Sequence, residues 1–141
     1  MTREVLNHLR DLDENLTDWE SYLRETREPG FLLDRKARHA LLHCVLVSLQ
    51  AAIDIADHWV AEVTPQRPES YRAIIELLEE KRALPRRLAL QLKGLFSLRN
   101  VLVHKYQELD LKRLYAHVKK APQPLRAFLK LAKSKVRRAP R

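Results

Sequence analysis

Between Ser97 and Asp110 the chain reads SLRNVLVHKYQELD, which places an arginine, an asparagine, a histidine and a tyrosine within the eight positions from Arg99 to Tyr106. A histidine titrates near neutrality, so His104 can take a proton from a ribose 2′-hydroxyl or return one to a 5′-leaving oxygen. A fixed guanidinium, here Arg99, stabilises the charge that builds on a phosphorus centre. Together these groups suit phosphoryl transfer on RNA without a metal. That reaction wants both a base and an acid, and the stretch supplies one histidine. A two-fold homodimer, with a second Arg99/His104 pair in the same cleft, would meet the need. The same residues also fit plain structural roles: Arg99 snorkelling, Tyr106 lying over the core, His104 as a surface imidazole. Spacing alone does not choose between the two.

The elements that must position these groups read as helices. Val5, Leu9, Leu12, Leu16, Trp19 and Leu23 alternate spacings of four and three, which predicts one amphipathic helix over residues 3–26. Pro29-Gly30 is expected to end it. Asp34 is placed to cap a second helix reaching Val63. That helix carries Leu42, Val45, Leu49, Ile53, Ala56 and Val60 on one stripe, and Leu41, Cys44, Ser48, Ala51 and Ile55 on another. A helix apolar on two sides belongs at the centre of its bundle. Thr64 to Pro68 is expected as a loop, followed by a short helix with Tyr71, Ile74, Ile75 and Leu78 inward. A further helix runs from Pro85 to about Gln107, its seam made of Leu88, Leu92, Leu95, Arg99, Leu102 and Tyr106. On it Asn100 and His104 share a face, and Arg99 and Tyr106, two turns apart, point the same way. Asp110 is placed to cap another helix that breaks at Ala121-Pro122-Gln123-Pro124, and the last carries Leu125, Phe128, Leu129 and Ala132. The expected fold is an all-α, antiparallel, dimerising bundle of about five helices. Residues 1–132 form its domain, and residues 133–141 a fraying basic tail.

Composition narrows the partners. A chain of 141 residues is one domain, able to bury roughly two-thirds of its unfolded surface. Its single cysteine, Cys44, excludes an intrachain disulfide and any cysteine-based zinc site. No apolar run approaches about 18 residues, so no membrane span is expected. The polar, periodic N-terminus argues against a signal peptide, and a cytoplasmic protein is the simplest reading. Residues 1–110 hold 16 Lys/Arg against all 18 Asp/Glu, whereas residues 111–141 hold 11 Lys/Arg and no acid. Such a basic end suits RNA or an acidic partner surface, or is simply a solvated tail.

The segment RNVLVHKY is an R-x4-H-x-Y motif with asparagine directly after the arginine. It resembles the HEPN superfamily of ribonuclease domains, most closely its HepT-like toxin branch. The segments SLQAAIDIADH (Ser48 to His58) and PESYR (Pro68 to Arg72), with the break at Pro122/Pro124-Leu125, extend the resemblance over about residues 1–132. The resemblance implies a dimeric, metal-independent endoribonuclease acting as the toxin of a type II toxin–antitoxin pair. Its antitoxin would be a minimal nucleotidyltransferase of the MntA kind, which transfers AMP to the motif tyrosine. By position, Arg99 and His104 would be catalytic, Asn100 supporting, and Tyr106 the AMPylation site. Asp54, on the matching helix, is expected to orient Arg99 or His104 through a charge-assisted bond.

Other residues carry weaker signals. Arg86, Arg87, Lys105, Lys112 and Arg113 are the candidates for sequence-independent phosphate contact. His39 and His43 are four apart, a spacing that can bind metal, but no third ligand is evident and neither metal nor cofactor is expected. Asp54, Asp57 and His58 are explained as well by a helical surface, and Cys44 by inert core. Aromatic residues in the basic end are few, which speaks against a dedicated single-strand binder. The alternative to the nuclease is a non-catalytic helical adaptor that presents Tyr106, or a nucleotide, to a nucleotidyltransferase.

Overall fold

A computed structural model describes residues 3–138, with side chains described as far as Val136. Seven α-helices and one 3-10 turn are found among the described residues, and no β-strand. They are α1 (Arg3–Glu25), α2 (Glu28–Leu33), α3 (Arg35–Val63), α4 (Tyr71–Glu80), α5 (Arg86–His104), the 3-10 turn (Tyr106–Glu108), α6 (Leu111–Lys120) and α7 (Pro122–Arg138). The expected all-α bundle is present.

Caps fix where the helices start. The Asp34 carboxylate accepts from the Ala37 amide and Ser70 Oγ accepts from the Ala73 amide, while Asp110 accepts from Lys112 and Arg113. The helices pair antiparallel, as their cross-links show. Asp13 and Glu20 of α1 bind Arg126 of α7, and Lys133 of α7 reaches Asp13. Lys93 of α5 lies against Glu76 and Glu79 of α4. Both stripes of α3 are buried, as expected. Trp19, Phe31, Phe96 and Phe128 are fully buried, and the Trp19 indole donates to the Val118 carbonyl at 3.1 Å, tying α1 to α6.

Three expectations need amending. Pro29-Gly30 does not simply end α1; it lies inside α2, where proline occupies the first turn and needs no amide hydrogen. By length and composition α3 is apolar enough to cross a membrane. Its small and aliphatic residues give that character without one unbroken apolar run, and in this fold they pack into the core. Finally, α7 crosses the expected boundary at residue 132 and continues to Arg138, with Lys133 paired to Asp13 and Val136 packed on the core. Residues 139–141 of the basic tail lie outside the described residues.

Candidate functional site at the C-terminal end of α5

The buried line of α5 runs Leu88, Ala89, Leu92 and Phe96, so the next inward position is Arg99. A half-buried guanidinium on an apolar line costs several kcal/mol unless paired. Here it is paired on each side. Its Nε donates to Gln50 Oε1 of α3 at 3.1 Å, and Nη1 donates to Asn100 Oδ1 at 3.3 Å. Its carbon centre stands 5.8 Å from the centroid of the Tyr71 ring, the first residue of α4. Gln50 in turn donates to Asp54 Oδ1 at 3.0 Å. Gln50, Asp54, Asp57, Ser70 and Tyr71 line an open cleft of about 240 Å³ beside this network.

Asp54 therefore reaches Arg99 through Gln50 rather than by a direct charge-assisted bond, which corrects the expected contact. Its other oxygen faces His8 Nδ1 at 4.0 Å. Sequence reading missed Gln50 altogether. The available signal was its spacing, four residues before Asp54 on the same face. Tyr71 was placed inward correctly, but with no partner.

Asn100 and His104 are exposed and stack one turn apart on α5, as expected. Arg99 and His104 leave the helix about 140° apart around its axis. The bond to Asn100 draws the Arg99 guanidinium toward the face that His104 occupies. Among the described residues no hydrogen bond or ion pair holds the His104 ring.

Tyr106 does not share a face with Arg99. The helix stops at His104, because Lys105 turns to φ −132° and ψ 23°, and Tyr106 opens the 3-10 turn. Its side chain goes to the start of α3 instead. The phenol oxygen accepts from Arg38 Nε at 3.1 Å, and the ring meets His39 edge-on with centroids 6.2 Å apart. Arg38 and Gln50 are twelve residues apart on α3, about 18 Å along its axis. His39, His43 and Gln50 fall on one stripe of α3. Tyr106 is thus held at the start of α3 and Arg99 near its middle.

The basic candidates divide in the same way. Lys105, Lys112 and Arg113 are exposed near the His104 end, whereas Arg86 and Arg87 begin α5, about 27 Å away along the helix. None of the five has an ion-paired side chain among the described residues. The Cys44 thiol is buried, and burial followed by the charge of Asp18 raises its pKa, which makes it a poor nucleophile. No cluster of three or more His, Cys, Asp or Glu suited to a metal occurs among the described residues.

The model of the Ribonuclease HepT-like family matches residues 12–132. No curated protein matches the chain. Among solved structures, the tri-AMPylated HEPN toxin of Shewanella oneidensis in complex with MNT antitoxin superposes with a TM-score of 0.84 at 23% identity, over 95% of this chain and 99% of that one. A mutant of the toxin–antitoxin MntA-HpeT gives a TM-score of 0.81 at 21% identity, over 92% and 98%. YutE of Bacillus subtilis, described as a cytosolic protein of unknown function, gives 0.80 at 20% identity, over 94% and 88%.

Proposed function

The chain belongs to the Ribonuclease HepT-like family, and on that premise we propose that it is a metal-independent endoribonuclease, the toxin of a type II toxin–antitoxin pair. It works as a homodimer and is neutralised by AMP transfer to Tyr106 from a cognate MntA-like nucleotidyltransferase antitoxin. The observation that carries this reading is the pinned Arg99, held by Gln50 and Asn100 at the edge of the face that bears a free, exposed His104.

In this mechanism His104 takes the 2′-hydroxyl proton of bound RNA, and the freed oxygen attacks the adjacent phosphorus. Arg99 neutralises the charge that develops on the phosphoryl oxygens. His104 of the second protomer protonates the 5′-oxygen that leaves. The products are a 2′,3′-cyclic phosphate and a 5′-hydroxyl. Two exposed apolar side chains support a second protomer at this end. Val103, beside His104, is 45% exposed, and Leu33, which follows the carbonyls that anchor Arg38, is 86% exposed. Lys105, Lys112 and Arg113 add salt-sensitive affinity for the RNA backbone. A cytosolic location fits this role, and YutE, which shares the fold, is described as cytosolic.

The deciding experiment incubates the purified, unmodified chain with RNA and analyses the cut ends. We expect cyclic phosphate termini that persist in EDTA and fall at least about a hundredfold in Arg99→Ala and His104→Ala, with folding intact. Variants that cut as the parent does would sink the site assignment. One observation favours a second reading, a non-catalytic adaptor that presents Tyr106 to a nucleotidyltransferase: no partner among the described residues orients the His104 ring, as a catalytic base usually requires. Complete inertness toward RNA would select it.

A further inference from the structure

We propose that Arg38 is the positioning residue for nucleotide transfer to Tyr106, holding the phenol oxygen before the reaction and the new phosphodiester anion after it. The inference rests on the toxin–antitoxin reading above and extends it to a residue outside the R-x4-H-x-Y motif.

Arg38 is built into place. Its Nη1 donates to the Phe31 carbonyl at 3.0 Å and to the Leu32 carbonyl at 3.2 Å. These belong to the last turn of α2, where helix carbonyls have no partner of their own. A cation at a helix C-terminus is also favoured by the aligned peptide dipoles. So fixed, the guanidinium aims its opposite edge, Nε and Nη2, at Tyr106. Nε donates to the phenol oxygen at 3.1 Å. Nη2 has no partner among the described residues. Nε and Nη2 together form the fork that matches two oxygens of a phosphate. One tine therefore grips the acceptor atom, and the other stands where a phosphoryl oxygen on that atom would lie.

The bond from Arg38 occupies one acceptor site of the oxygen and leaves the phenol's own hydrogen free to turn away from the guanidinium. In the transfer, the phenol oxygen attacks the α-phosphorus of ATP, and the new O–P bond replaces the bond to pyrophosphate. Pyrophosphate leaves with its magnesium. The phenolic proton passes to a base of the nucleotidyltransferase or to water. No electron transfer is involved. The product is an aryl phosphodiester with one negative charge, which the Nε–Nη2 fork pairs. His39 flanks the same ring but offers no hydrogen bond to the oxygen.

The test incubates the chain with its cognate nucleotidyltransferase and MgATP and follows attachment of AMP by intact mass, a gain of about 329 Da per unit. For Arg38→Ala and Arg38→Gln the rate of AMP attachment should fall about tenfold to a hundredfold, as expected for loss of a charge-assisted bond. The fall should lie in kcat, with KM for the acceptor chain unchanged. Arg38→Lys should recover part of the rate, and Tyr106→Phe should take no AMP. RNA cleavage by the unmodified variants should equal that of the parent. Should Arg38→Ala fail to fold, the Gln and Lys variants carry the comparison. Equal rates in parent and variants, or a rise in KM alone, would overturn the role of Arg38 while leaving the toxin reading intact. Parent protein that accepts no AMP would overturn both.

Discussion

Gln50 holds Arg99 across 49 positions of sequence: its side-chain oxygen accepts the Nε hydrogen at 3.1 Å, while its amide nitrogen is anchored on Asp54. An arginine side chain turns about several bonds, and this hydrogen bond restricts that freedom before substrate arrives. Gln50→Leu should therefore lower RNA cleavage about tenfold or more, at a stability cost of only about 1 kcal/mol because Arg99 keeps Asn100 and the Tyr71 ring. Asp54→Asn, one bond further out, should cost less. Initial rates under single-turnover conditions check both. A Gln50→Leu chain that cuts at the parental rate would show that Arg99 is positioned by something else.

Tyr71 contributes its ring face rather than its hydroxyl to Arg99. Tyr71→Phe keeps that face, and cleavage should stay within about twofold of the parent. Tyr71→Leu removes it and should cost about twofold to fivefold. If the phenylalanine variant loses as much as the leucine one, the hydroxyl matters and the stacking account is wrong.

Acid should loosen α7 from α1. The hydrogen bond from Arg126, then the bond from Lys133, lowers the Asp13 pKa below its ordinary value. The folded state thus binds this proton less readily than the unfolded chain does. The stabilisation is fully present above the ordinary carboxylate range, near about pH 4, and is lost as pH falls through the lowered folded value. Because these side chains are partly exposed, Arg126→Ala should cost only roughly 1 kcal/mol at pH 7. Urea unfolding of parent and variant should show that gap at pH 7 and a narrower one below the carboxylate range. A gap independent of pH would exclude Asp13 as its source.

How much of this was legible in the sequence depended on distance along the chain. The stripes of α1 and α3 repeat every turn, and Asp34 and Asp110 cap from within their own segments, so local reading finds them. Arg99, Asn100 and His104 form one motif and were likewise visible. The groups that hold Arg99 were not: Gln50 and Tyr71 come from α3 and α4, and only tertiary packing brings them to α5. Helical periodicity carried through Lys105 misplaces Tyr106, because the backbone leaves the helix there. The end of α7 was set short at residue 132 because the partner of Lys133, Asp13, lies 120 positions upstream. Pro29 was read as a stop because proline breaks helix interiors, although it suits the opening turn it occupies in α2.

The third helix runs 29 residues without a glycine or a proline. It offers a stiff strut between Arg38, which holds Tyr106, and Gln50, which holds Arg99. On the proposed reading, a group attached to the phenol acts at Arg99 through its own extension or its electric field, and its length becomes the quantity that sets the response.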